Sequence, residues 1–395
     1  MENAKNPPPE AVVPPLNLPL GKGENMVKMG EKKIMQEKEK NKWIELSLSE
    51  WIIQPDLYAL YKFRADPFEI EKTPVEELKN IIGPRASKLG RLIRGLKEES
   101  ELMKKCAARA VFIDDEEYPV LLREIQNPPL FLRVRGEIPS SGERMIAVVG
   151  TRKPSSYGIR IASLLSSQMS ARSFTVVSGL ARGIDAAAHK AALEAGGKTV
   201  AVLGTGVDVV YPRENEKLAD EIISSGALAS ELPMKTPPEK MNFPLRNRII
   251  SGFSCGVLVV EAPKKSGALI TASYAGEQGR DVWACCGDIF DKNFRGCHAL
   301  IKDGAKLCEG IDDIMQELTI PGILEIKAPE NKDKMLTLSP GEEKIYSVIN
   351  WKPVTLDEIK IKSAMSVAEI FKVLTNLQIN GFIGNCAGGK FVRKK

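Results

Sequence analysis

The residues best equipped for chemistry fall in two short segments. Gly150-Thr151-Arg152-Lys153-Pro154 places a small-residue turn, a hydroxyl and two cations at the end of an apolar run. Asn242-Phe243-Pro244-Leu245-Arg246-Asn247-Arg248 sets an aromatic ring beside two guanidinium groups, just ahead of an expected short helix. Arginine offers bidentate contacts to phosphate, and a phenylalanine ring offers a stacking face to an unpaired base. Together they describe an anion-binding edge suited to a polyanion or a mononucleotide. In the alternative, Phe243 plugs a core and the arginines pair with Glu231 and Glu261.

Other chemistries find less to work with. The chain holds two histidines, His189 and His298. Asp185 and His189 stand four apart on an expected helix, where they read as a surface pair with no nucleophile in register. Seven cysteines form no C-x-x-C pair, and the adjacent Cys285 and Cys286 suit neither a disulfide nor shared metal ligation. Reduced thiols and no metal site are the expectation. No G-x-G-x-x-G follows the first apolar run, Gly204-Thr205-Gly206 supplies two glycines only, and no Walker A sequence occurs. A dinucleotide pyrophosphate wants three such glycines, so no cofactor is expected.

The elements that must position these residues are four apolar, β-branched runs ending in small-residue turns. They are Ile146 to Val149, Thr175 to Ser178, Val200 to Leu203 and Gly256 to Val260, separated by helical patterning. That alternation is the mark of βαβ units and a parallel sheet covered on both faces. Ligands bind such sheets at the edge where the strands end, and here that edge is expected to present bare backbone N–H groups, hydroxyls and Arg152.

Apolar residues make up 43% of the 395, with no run of membrane-spanning length and no apolar signal core at the N-terminus. A cytoplasmic protein with no membrane partner is therefore expected. The net charge is +5, and residues 331–395 carry ten Lys and one Arg against six Asp or Glu, which accounts for all of it. A basic C-terminal module is compatible with nucleic acid or with a solvated lysine-rich surface.

Five regions follow. Residues 1–42, rich in Pro, Lys and Glu, are expected to be a disordered leader. Residues 43–110 read as a helical module, in which Leu78 to Leu89 has a helix, Gly-turn, helix layout. That layout either offers N–H groups to a DNA phosphate or serves packing alone. Residues 111–320 hold the α/β core, and residues 321–337 form a linker. Residues 338–395 show three helices and a glycine-turned hairpin, a winged-helix pattern. Its third helix, with Val367, Ile370, Phe371, Leu374 and Leu377 expected on one face, offers few donors for duplex readout.

The series Ala147 to Arg152, Ser178 to His189, Val202 to Pro212, Phe243 to Gly252, Val260-Glu261-Ala262, Ser266 to Thr271 and Glu277 to Arg280 resembles the core of the DNA-processing protein A (DprA, or Smf) family. The resemblance runs from about Tyr118 to Leu307. It implies an extended Rossmann-like core between a small helical N-terminal module and a C-terminal winged-helix domain. It further implies a homodimer that binds single-stranded DNA, protects it, and loads the RecA recombinase during natural transformation, without catalysis. Carried over by motif, Gly150, Thr151, Arg152 and Lys153 line the DNA pocket. Arg246, Asn247 and Arg248 add contacts to phosphate, and Phe243 lies near the bases. Ser178, Gly179 and Gly183 shape the pocket through backbone N–H groups. Two positions depart from the family pattern: Cys286 stands where a Pro is usual, and His298 where Asn is common. The competing reading is a nucleotide-cleaving, phosphoribohydrolase-like Rossmann enzyme, whose carboxylate would have to be Glu231 or Glu261.

Overall fold

A computed structural model describes residues 35–64, 66–140, 144–318, 339–350, 353–386 and 389–393. The chain opens with α1 (Glu37–Leu46), α2 (Gln54–Phe63), α3 (Pro67–Lys72), α4 (Val75–Ile82), a short 3-10 helix (Gly83–Lys88) and α5 (Leu96–Lys105). Trp43, Leu46, Leu57 and Leu60 are buried, as their helical spacing requires. Order begins earlier than expected. Helix α1 starts inside the anticipated leader, because Trp43 and Leu46 give it an apolar face and Lys40 reaches Asp115 at 2.6 Å. Residues 1–34 lie outside the described part. The second helix expected after Gly83 shrinks to the short 3-10 helix, where Arg85 is drawn to Asp56 at 2.7 Å.

The core continues with β1 (Ala108–Phe112), α6 (Val120–Arg123), β2 (Phe131–Gly136), β3 (Met145–Val149), α7 (Ser156–Ala171), β4 (Thr175–Ser178), α8 (Ile184–Glu194) and β5 (Thr199–Val202). There follow α9 (Glu216–Ser225), β6 (Ala227–Ser230), α10 (Asn242–Phe253), β7 (Gly256–Val259), α11 (Gly267–Glu277), β8 (Asp281–Cys285), α12 (Arg295–Lys302), β9 (Lys306–Cys308) and α13 (Ile311–Leu318). The strands form one sheet in the order β1-β2-β6-β5-β4-β3-β7-β8-β9. From β6 to β9 the pairing is parallel; β1 and β2 add to one edge antiparallel. The four apolar runs are the central strands β3, β4, β5 and β7, buried along their whole length. From β3 the chain winds outward through β4, β5 and β6, then crosses back to lay β7 on the other side of β3. The β3–β7 boundary is thus a topological switch point, where the connections diverge and leave a crevice at the strand ends.

Buried polar ties join the N-terminal helices to this sheet. Arg133 of β2 and Glu99 of α5 are both fully buried and pair at 2.7 Å, and the Gln54 side chain accepts from the Leu130 amide at 3.1 Å.

The C-terminal part comprises α14 (Pro340–Val348), α15 (Leu356–Ser363), α16 (Val367–Ile379) and the hairpin β10 (Ile383–Cys386) with β11 (Lys390–Arg393), a winged-helix arrangement. Each helix starts in a capping box: Ser339 with Glu342, Thr355 with Glu358, Ser366 with Glu369. Ile370, Leu374 and Leu377 are buried against Ile345 and Ile359, but Val367 and Phe371 face solvent. Successive helical residues turn by about 100°, so Phe371 lies well round the helix from Ile370. The expected linker falls outside the described residues, and no described helix is long and apolar enough to cross a membrane.

Candidate nucleic-acid interface

At the carboxyl ends of β3 and β7 the switch point opens into a cleft of about 790 Å³. The loop after β3 (Gly150 to Lys153), the first turns of α10, and the loop into α11 line it. Arg152, Lys153, Lys240 and Lys265 line this cleft and are exposed. Asp185 is the one acidic lining residue, and it is buried. Helix α11 turns its N-terminal end into the same space, with Ser266, Gly267 and Ala268 at the wall and no acid in its first turn. Four cations and a helix N-terminus make a site for negative charge.

An aromatic platform stands in this field. The Phe243 and Tyr211 rings lie 5.7 Å apart, tilted by 44°, and the Arg152 guanidinium sits 5.4 Å from the centre of the Phe243 ring. Gly204, at the end of β5, lets the ring approach: a Cβ there would stand 2.8 Å from the ring carbon. Tyr211, Lys240 and Lys265 are site residues that sequence reasoning did not nominate. The signal available for Tyr211 was an aromatic next to Pro212 in the loop that follows an expected strand.

The Asn242 to Arg248 cluster belongs to α10 itself rather than to a segment ahead of it. On a helix, residues 246 and 248 point about 200° apart, so the two arginines cannot serve one site. Arg246 faces the cleft but is only 4% exposed; its guanidinium donates to the carbonyl of Gly179 at 2.9 Å and to that of Val202. Burial, aided by nearby Arg152, lowers its pKa to about 10 while Asp185 opposes them. Arg248 points the other way and is ion-paired with Glu231, both buried. Asn247 lines the cleft, and its side-chain amide donates to the Gly267 carbonyl at 3.2 Å, tying α10 to α11.

The backbone at the strand ends is less bare than expected. The Thr151 amide donates to the Glu261 carbonyl (2.7 Å), the Lys153 amide to the Thr151 hydroxyl (3.2 Å), and the Gly179 amide to the Asp185 carboxylate (3.1 Å). Ser178 is fully buried, its hydroxyl donating to the Val148 carbonyl. Gly183 holds φ at 80° to start α8, and a side chain there would strike the Thr151 carbonyl. These residues fix the loop after β3, and the side-chain cations carry the cleft's charge. Glu261, fully buried, accepts from the Ser155 amide and hydroxyl and from Asn293, which braces the same loop.

Asp185 and His189 prove to be core residues, not a surface pair. Thr199 spends its hydroxyl proton on the Val176 carbonyl (2.7 Å), so His189 Nδ1–H is the donor in its 2.6 Å contact with Thr199. Burial, with Arg246 nearby, holds the imidazole pKa down to about 3, against an ordinary 6.5. As pH falls from 6.5 towards 3, the unfolded chain takes up a proton that the folded chain refuses, so stability is lost. The slope from this group reaches about 1.4 kcal/mol per pH unit. Denaturant unfolding at about pH 7.5 and pH 5.5 is expected to show a smaller loss for His189→Gln than for the parent. Equal losses in the two proteins would place the acid sensitivity elsewhere.

A family model described as DNA recombination-mediator protein A matches residues 109–319, and one described as the DprA winged helix domain matches residues 329–389. Protein Smf of Synechocystis is 36% identical over 319 residues, covering 71% of this chain and 79% of its own. Protein Smf of Escherichia coli is 40% identical over 281 residues, covering 70% and 75%. The X-ray structure of DNA processing protein A from Streptococcus pneumoniae superposes with a TM-score of 0.60 at 36% identity, over 72% of this chain and 99% of that one.

Proposed function

The chain belongs to the DNA recombination-mediator protein A family, and from that premise we propose that it binds single-stranded DNA in the switch-point cleft and acts without catalysis. The observation that carries this is a pair of aromatic rings set among four exposed cations at the end of a parallel sheet. Backbone phosphates supply salt-dependent affinity and unpaired bases supply stacking faces. In this reading Arg152, Lys153, Lys240 and Lys265 meet phosphates, and Phe243 with Tyr211 meets a base. Gly150 and Thr151 shape the loop that presents Arg152. Arg246 and Asn247 hold the floor, and Arg248 serves the core.

A duplex keeps its bases stacked inside, so this platform favours a single strand. Delivery of RecA to such a strand, protection of incoming DNA in transformation, action as a homodimer and a cytoplasmic setting are the further parts of the proposal, resting on family membership. So is the division of the chain into a helical module (residues 43–110), a DNA-binding core (111–320) and a winged-helix domain (338–395).

The phosphoribohydrolase-like alternative needs a carboxylate poised over a sugar. Glu231 is committed to Arg248 on the far side of α10, and Glu261 to the loop after β3. Both assignments favour binding over glycosidic chemistry.

Fluorescence anisotropy with matched single-stranded and duplex oligonucleotides across a salt series is the test. Preference for the single strand, weakening steeply with salt, is expected. Arg152→Ala should reduce the slope of log K against log salt by about 0.7, the value for one phosphate contact on a single strand. A preference for duplex, or an unchanged slope in Arg152→Ala, would overturn the assignment.

A further inference from the structure

Away from the cleft, Trp51 occupies an unusual setting. It is 75% exposed, and its φ is 65°, a left-handed backbone that bulky side chains avoid. Ser49 bridges Leu92 in antiparallel fashion, with the Glu50 amide donating to the Arg91 carbonyl and the Ile93 amide to the Leu48 carbonyl, each at 2.8 Å. That register places Trp51 opposite Gly90, where a side chain would meet nothing within 4 Å. Leu92 and Ile93 beside it are 38% and 53% exposed. Holding an indole in water on a disfavoured backbone does nothing for the fold, and such strain concentrates where binding occurs.

The surrounding charge selects what would bind. Between Glu77 and Glu98 the sequence has no acid and six cations: Lys79, Arg85, Lys88, Arg91, Arg94 and Lys97. Four of these meet carboxylates, Lys79 with Glu76, Arg85 with Asp56, Lys88 with Glu50 and Arg94 with Glu99, whereas Arg91, next to the bridge, and Lys97 are exposed. A flat apolar ring in a basic stretch suits a polyanion with exposed bases better than an apolar protein face.

The chain that follows the patch runs to the outer side of the cleft's wall. Ile52, Ile53 and Pro55, which follow Trp51, line a cavity of about 60 Å³ together with Asn242 and Leu245 of α10. Phe243 and Arg246, on the other side of the same helical turn, face the cleft. One turn of helix, about 10 Å across with its side chains, separates the two. We propose that Trp51, with Arg91 beside it, is a second stacking platform for a single DNA strand that leaves the cleft across the first turn of α10. The proposal rests on the cleft being the primary strand-binding site.

The test uses the full chain and oligothymidylates of about 6 and about 20 nucleotides, lengths that bracket the reach of one site. Trp51→Ala should bind the short strand like the parent and the long strand at least about fivefold more weakly, while Trp51→Phe, which keeps a ring, should restore most of the loss. Arg91→Ala should lower the salt slope by about 0.7 on the long strand alone. Parent-like binding of both lengths by Trp51→Ala overturns the second platform and leaves the cleft intact. Failure of the parent to bind either strand overturns the cleft reading instead.

Discussion

Arg246→Ala is expected to lower the stability of the fold by about 3 kcal/mol while leaving the salt dependence of strand binding nearly unchanged. The guanidinium is 4% exposed and satisfies the carbonyls of Gly179 and Val202, which end two adjacent central strands. Removing it leaves both acceptors short of a donor, each at a cost of about 1–3 kcal/mol, although water entering from the cleft offsets part of this. It also takes the nearest opposing charge from Asp185, whose carboxyl is already pushed up by burial. Arg246→Lys should recover only part of the loss, because one ammonium cannot reproduce the planar fork that spans the two carbonyls. Urea titration gives the stability change, and anisotropy below the unfolding transition gives the salt slope. Full stability with a slope lowered like that of Arg152→Ala would make Arg246 a phosphate contact rather than a scaffold.

The contrast between two arginines a helical half-turn apart shows where sequence reading reaches and where it stops. The central strands were legible because a strand buried on both faces must be apolar and β-branched throughout, a pattern that needs no partner to be recognised. Ala108–Phe112 and Lys306–Cys308 were not, since a short strand at a sheet's margin is defined by its neighbour's hydrogen bonds. The loop Gly150 to Lys153 was legible for the same reason as the strand it follows. Tyr211, Lys240 and Lys265 were missed because the switch point gathers them from three connections far apart in sequence. Arg246 and Arg248 were grouped because a linear cluster of cations reads as one surface. Only the helical rotation of α10 separates the one that faces the cleft from the one that closes a buried pair.

The same geometry explains why the cleft is basic yet firmly built. The buried polar groups that line it, Arg246, Asn247 and Asp185, and Glu261 behind them, bond to backbone or to one another and hold the loops in place. Its exposed groups, Arg152, Lys153, Lys240 and Lys265, are long cationic side chains, of which Arg152 rests on the Phe243 ring. Rigid loops carrying adaptable cations suit sequence-independent binding, where the backbone is the feature all strands share.

Phe243→Ala is the second large effect, an expected loss of about 1–3 kcal/mol of strand affinity, or roughly 5- to 150-fold in Kd, with little change in salt slope. The ring is half-buried, packed on Gly204 and edged by Tyr211, so truncation also opens a gap beneath the platform. Phe243→Leu separates the two consequences: it refills the space over Gly204 but presents no flat face. If stacking is the source of affinity, Leu should bind nearly as poorly as Ala while unfolding close to the parent; if packing is, Leu should bind nearly as well as Phe. Because Arg152 rests on this ring in the free protein, the double variant Arg152→Ala with Phe243→Ala should lose the sum of the two single losses if the cation–π contact is kept when the strand binds, since its energy then cancels between free and bound states. A double loss exceeding that sum by about 0.5–1 kcal/mol would mean that Arg152 leaves the ring when the strand binds, giving up the cation–π contact for a phosphate.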